Sequence, residues 1–233
     1  MNLIILNNIE IQVTKKNIKN LHLSVMPPNG VVKISAPTEI TDDAIIAFAS
    51  SRLTWIKTQI ANFKKQERES KREYVSGESF YLFGKRYLLN INKGTKNNLL
   101  IENDRAVLTL KNNITDEQKY NFVSLCYRRQ LKSFLQKSID DWSRKISLFP
   151  DSWQIKEMKT KWGSCTKNKK KLWFNLQLAK KPIECIEYVV LHELIHLKYE
   201  KHNNDFTSML TTYMPNWQER KDLLNSFILD YIE

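Results

Sequence analysis

The chain has 233 residues, 42% hydrophobic and 27% charged, enough to bury a core in one or two domains and too ordinary for a fibrous or disordered chain. Thirty-seven Lys and Arg against 25 Asp and Glu give a net charge of +12, a field that attracts anions, with nucleic acid or an acidic protein as candidate partners. No apolar run approaches the roughly 18 residues of a membrane span, and Met1-Asn2-Leu3 offers no basic leader. Cys126, Cys165 and Cys185 are odd in number and widely spaced, which argues against a disulfide framework and for a cytoplasmic protein.

Residues 3–35 read as short strands: Ile9 to Val13 alternates, Leu21 to Val25 does so again, and Pro27-Pro28-Asn29-Gly30 turns into Val31–Ile34. His22 falls within that alternation and reads as a strand residue rather than a ligand. Thr41-Asp42-Asp43 caps a helical segment whose apolar positions run from Ala44 to Ile60. Its tail, Phe63 to Arg72, is charged on all sides and reads as a solvated helix end or linker. Gly77 to Ile91 predicts a hairpin turning at Gly84-Lys85, and 99–110 a second turning at Asn103-Asp104. No internal repeat is evident.

From Thr115 the period changes to that of a long amphipathic helix over 116–147, with Arg128 and Arg129 on a solvated face and Pro150 as the stop. Gln154 to Trp162 alternates as a strand, Gly163-Ser164-Cys165 follows, Thr166 to Lys170 forms the loop, and Leu172 to Leu178 supplies the return. Lys156, Lys159, Lys161, Lys167, Lys169, Lys170 and Lys171 make this hairpin the first place to look for a nucleic-acid or acidic-peptide contact. Cys165 reads as a small packed or turn cysteine, since no histidine lies near it in sequence.

Pro182 opens the next helix, which is apolar around most of its circumference and is expected to be central and buried. It carries His192-Glu193-Leu194-Ile195-His196, the H-E-x-x-H pattern. Residues four apart share one helix face, so both imidazoles can reach one Zn²⁺ while Glu193 stands beside them to work on water. A third ligand is needed, and His202 follows six residues later. On a straight helix it would lie about 9 Å further along the axis. The helix must therefore break near Lys198, with Lys198–Lys201 as the return and Asn203 and Asn204 as turn or cap residues. Phe206 to Tyr213 suggests a short helix, broken at Met214-Pro215, and Trp217 to Ile228 a closing one.

Several stretches together resemble the YgjP-like predicted metallopeptidases. They are Lys161-Trp162-Gly163-Ser164-Cys165, Asn175, Leu178, Tyr188 to Leu197, His202, Phe206 and Met214-Pro215, with Pro28-Asn29-Gly30, Trp55-Ile56, Gly77-Glu78 and Phe83-Gly84-Lys85 upstream. The resemblance covers roughly 10–225. It implies an α+β fold: a β-rich part over 1–112 with one helical segment, then a zincin-like core over 113–233 with a small antiparallel sheet and the H-E-x-x-H helix. It also implies His192, His196 and His202 as zinc ligands and Glu193 as general base, acting on a protein or peptide substrate. At the histidine spacing the chain is similar to SprT-like and WLM peptidases, which act on proteins crosslinked to DNA, and to metzincins, although Tyr199 stands where their turn glycine would be. The expected chemistry is amide hydrolysis, with 154–162 or 171–178 as a substrate-binding edge strand and Asn175 or Tyr213 steadying the oxyanion. The alternatives are a metal-stapled nucleic-acid-binding module or a DNA-recruited protease.

Overall fold

The structure, a computed structural model, describes residues 2–26, 29–65 and 72–227. Pro27 and Pro28 of the first turn, residues 66–71 of the charged tail and Ile228 lie outside them. The fold is mixed α+β, and the described chain forms two compact units, one up to Lys71 and the other Arg72–Phe227.

The first unit holds β1 (Asn2–Leu6), β2 (Ile9–Lys16), β3 (His22–Met26) and β4 (Val31–Pro37) in the order β1-β2-β4-β3, with β2 and β4 parallel. Alternation puts Ile11, Val13, Val32, Ile34 and Ala36 on one face, where Ile45, Ala49 and Ile56 cover them. The helical segment is two helices, α1 (Asp42–Ser50) and α2 (Leu53–Lys65), broken at Ser51-Arg52. The Thr41 hydroxyl accepts from Ala44 N–H and caps α1.

The second unit opens with β5 (Ser79–Leu82), β6 (Lys85–Gly94), β7 (Asn98–Glu102) and β8 (Arg105–Lys111), ordered β5-β6-β8-β7 with β6 and β8 parallel. The strand order of the first sheet recurs here. The first hairpin turns one residue earlier than expected, at Phe83-Gly84, both with positive φ, and Leu82 pairs with Lys85. The second turns at Asn103-Asp104 as expected.

Helix α3 (Asp116–Ile146) runs unbroken from a Thr115–Gln118 capping box to a left-handed Ser147, which ends it three residues before Pro150. Its buried stripe includes Val123, Tyr127, Leu131, Leu135 and Ile139. Arg128 is not simply solvated: its Nη1 donates to Ile155 O at 2.5 Å.

The basic hairpin differs most from expectation. Strands β9 (Ser152–Lys156), β10 (Gly163–Thr166) and β11 (Lys171–Asn175) are ordered β10-β11-β9, and β11 pairs with β9 in parallel. The small sheet is thus mixed rather than antiparallel. Residues 157–162 leave the extended path because the Asn175 side chain takes their backbone groups. Gly163 to Thr166, which the sequence places between the first strand and the loop to Lys170, is the antiparallel partner of β11. Leu176–Lys180 is a 3-10 turn. Helices α4 (Ile183–Ile195), α5 (Asn204–Tyr213) and α6 (Trp217–Ser226) follow, and α4 packs on α3, α5, α6 and β10 at the centre of the unit. Among the described residues no helix is long and apolar enough to cross a membrane.

Candidate metal centre

Pro182 starts α4, its carbonyl accepting from Cys185 and Ile186 N–H. Nine residues between Cys185 and Ile195 are buried, Glu193 among them, so the helix is held on nearly all sides. It ends one turn earlier than expected, at Ile195, with His196 as C-cap. Leu197, Lys198 and Tyr199 then close a tight turn by donating to Leu194 O, Ile195 O and Ile195 O. The chain folds back through 199–203, and the Asn203 side chain accepts from Phe206 N–H to cap α5. The Lys167 ammonium donates to Lys198 O at 2.8 Å, tying the β10–β11 turn to this return.

The return brings the three histidines together. Nε2 of His196 lies 3.2 Å from that of His192 and 3.1 Å from that of His202, and His202 and His192 are 3.0 Å apart. Phe206 packs on all three rings, with centroids 4.8–5.0 Å away. His192 and His196 are half-buried and His202 is exposed, so the cluster opens to solvent on one side. His196 Nδ1 sits 2.9 Å from Tyr199 O. A carbonyl only accepts, so Nδ1 carries the proton and Nε2 presents a lone pair.

Burial perturbs the ionisation of His192, His196 and Glu193. Burial first, then the neighbouring His196 and His202, push His192 down to about 3. Burial also lowers His196, against the opposing effect of its bond to Tyr199 O. Neutral imidazole is the ligating form. Glu193 is 6% exposed, and burial drives its carboxyl up to about 8 despite the opposing charge of Lys161. Glu193 Oε2 and His192 Nδ1 are buried without a hydrogen-bond partner among the described residues.

Three Nε2 atoms with sides of 3.0–3.2 Å fit one metal ion. Ligands at about 2.0–2.1 Å in a tetrahedral set stand roughly 3.3 Å apart, and three nitrogens leave one position open. A groove of about 850 Å³ between α3 and β9, lined by Arg128, Lys132 and Trp153 among others, contains none of these residues.

Other expectations change. Asn175 is not free to steady an oxyanion: it is 4% exposed and its side chain is committed to Met158, Lys161 and Gln177. β11 is the central strand and β9 ends at Lys156, so the edge beside α4 is β10. Burial and then Glu193 push the Cys165 thiol up to about 11, which keeps it in the protonated, weakly nucleophilic form at neutral pH. Sequence reasoning missed the packing of Phe206 on the histidines and of Gly163 on Glu193; only the position of Phe206 four residues past His202 hinted at the first.

A family model described as YgjP-like, metallopeptidase domain, matches residues 19–227. The class defined by fold, site and family is therefore that of metal-dependent peptidases. The chain belongs to the YgjP-like family. Among solved structures it is similar to the metallopeptidase zymogen abylysin of Pyrococcus abyssi, at 15% identity, over 42% of this chain and 99% of that one, with a TM-score of 0.38. A second is the zymogen jannalysin of Methanocaldococcus jannaschii, at 24% identity, over 39% and 92%, with a TM-score of 0.36. Comparison with curated proteins gives no match.

Proposed function

We propose that the protein is a zinc-dependent peptidase in which His192, His196 and His202 hold the ion and Glu193 is the general base. The observation that carries this reading is the meeting of three Nε2 atoms within 3.2 Å beside a buried carboxyl with an unpartnered oxygen. An all-imidazole set with one open side suits zinc. When bound, the ion supplies Lewis acidity, acidifying water and polarising the scissile carbonyl. Glu193 takes the proton from the attacking water and returns it to the amine nitrogen as the C–N bond breaks, so the carboxylate is regenerated. Its dry setting favours the proton-holding form between those two transfers.

In this reading α4 is the active-site helix of a zincin-like core. The free edge of β10 receives the substrate as an added extended strand. Of the two oxyanion candidates, Tyr213 remains, 39% exposed at the end of α5 with no hydrogen bond to its hydroxyl among the described residues. The unpaired thiols of Cys126, Cys165 and Cys185 favour a cytoplasmic setting.

The test is proteolysis profiling of the purified chain on unfolded protein, with and without chelator, beside Glu193→Gln. Chelation abolishes cleavage, while the variant keeps its zinc and loses turnover by about a thousandfold. Undiminished cleavage by Glu193→Gln refutes the assigned base.

A second reading, recruitment to nucleic acid, draws on six exposed lysines in and around the three-stranded sheet: Lys156, Lys159, Lys161, Lys167, Lys169 and Lys170. It requires cleavage to rise with added single-stranded DNA and that gain to vanish with salt. A flat response to DNA removes it.

A further inference from the structure

The ion site does not account for Asn175 or for the glycine of Lys161-Trp162-Gly163-Ser164-Cys165. The Asn175 amide makes every hydrogen bond open to it. Nδ2 donates to Met158 O and Lys161 O, both at 2.8 Å, and Oδ1 accepts from Gln177 N at 3.2 Å and Met158 N at 3.4 Å. Its own backbone N–H donates to Trp162 O at 2.8 Å. The loop that departs from β9 is thus fastened to the end of β11 at three residues. The next residue, Gly163, starts β10 directly against Glu193.

That contact is close. A Cβ on Gly163 would lie 2.6 Å from Glu193 Cγ, 2.7 Å from Oε1 and 2.9 Å from Cδ. Gly163 has no positive φ, so its backbone does not require glycine. The missing side chain makes room for the carboxylate. Glu193 makes no hydrogen bond among the described residues that would fix its rotamer, so packing against this wall fixes it.

We propose that Asn175 and Gly163 are positioning residues for Glu193: Asn175 fixes the loop, the loop fixes the Gly163 backbone, and that bare backbone sets where the carboxylate stands. The inference rests on the role given to Glu193 above. The cheapest relief for a methyl at 163 is rotation of the Glu193 side chain, so Gly163→Ala acts on the reaction more than on the fold. Removing the Asn175 amide frees the wall to drift, with the same consequence at smaller size.

The experiment uses the zinc-loaded full chain and fluorescein-labelled casein. Gly163→Ala lowers kcat roughly a hundredfold and Asn175→Ala roughly tenfold, with KM within about twofold and one zinc retained. The double variant loses less than the product of the two, because a loosened wall can yield to the methyl. Thermal melting gives a second readout that does not need turnover. Gly163→Ala lowers the melting temperature by a few degrees in the Glu193 background and not in Glu193→Ala, where nothing stands in its way. Equal melting shifts in both backgrounds overturn the wall. Wild-type kcat in Asn175→Ala, or an effect confined to KM, overturns the role of Asn175. A wild type that cleaves nothing while the melting difference persists overturns the peptidase reading instead.

Discussion

Stripped of metal, the protein should lose stability as pH rises from 6.5 to 8, and Glu193→Gln should abolish that loss. Burial raises the Glu193 carboxyl from 4.5 to about 8, so between those values the folded chain holds a proton that the unfolded chain has released. Stability falls with pH wherever the folded state binds more protons, by about 1.4 kcal/mol per pH unit for one full proton. His192 works in the opposite sense. Its pKa drops from 6.5 to about 3, so it adds stability as pH rises through that window and about 0.4 kcal/mol more by pH 8, as the last of the unfolded imidazole loses its proton. His196, lowered too, behaves the same way. The raised thiols of Cys165 and Cys185 and the raised Tyr188 act above pH 9. From pH 6.5 to 8 Glu193 lowers stability by about 1.6 kcal/mol, while the two histidines, half-protonated in the unfolded chain at pH 6.5, return up to about 0.8 kcal/mol. The histidine part cancels between wild type and Glu193→Gln, so the two curves diverge by about 1.6 kcal/mol, or roughly 3–6 °C in a chain of this size. Chelator-treated protein followed by tryptophan fluorescence is the assay, since Trp142, Trp153, Trp162, Trp173 and Trp217 all lie in the second unit. Glutamine cannot ionise, so its curve lacks the fall and keeps only the small rise from the histidines. Parallel wild-type and Glu193→Gln curves would show that the carboxyl is not held dry.

Three further outcomes are expected. His202→Ala, which removes the exposed member of the cluster, weakens zinc binding by at least about a hundredfold in a competition titration and leaves the fold intact. Cys165 reacts with iodoacetamide at pH 8 about a hundredfold more slowly than a free thiol, because a rise from 9.0 to about 11 removes that share of thiolate; peptide mapping reads the difference. Arg128→Ala leaves Ile155 O without its charged donor and costs about 1–3 kcal/mol in chemical denaturation, whereas Arg128→Lys restores part of it.

The parts legible in the sequence are those that short-range chemistry decides. Thr115 and Gln118 announce the start of α3, Asn103-Asp104 announces a hairpin, and H-E-x-x-H on a helix puts His192 and His196 on one face. Even the break before His202 follows from helix geometry, displaced by one turn because His196 Nδ1 finds Tyr199 O and closes the end early. What escaped were pairings between distant segments. Alternation marks 154–162 as extended, but it cannot say that Asn175 takes Met158 and Lys161 out of the ladder, or that β9 joins β11 in parallel. The split of the first helical segment at Ser51-Arg52 escaped because its apolar period continues through the break. Gly163 and Glu193 are 30 positions apart, and no local pattern records that one makes room for the other.

The site divides into a part fixed by the core and a part held by a few bonds. His192 and Glu193 ride on a helix buried on nearly every side, where moving a side chain means moving α3, α6 or β10 with it. His202 sits in an exposed return held by the Asn203 cap, the turn after Ile195 and the Lys167 bond to Lys198 O. Such an arrangement serves a hydrolase better than uniform rigidity. On the proposed reading the carboxylate has to meet a reacting water to within a fraction of an ångström, which buried packing can guarantee. His202 on a surface return leaves one side of the cluster open to solvent, where the proposed function places an extended substrate chain. The phenyl ring of Phe206, from the helix that the return leads into, touches all three imidazoles and couples the two parts, so the return cannot shift without disturbing the buried pair.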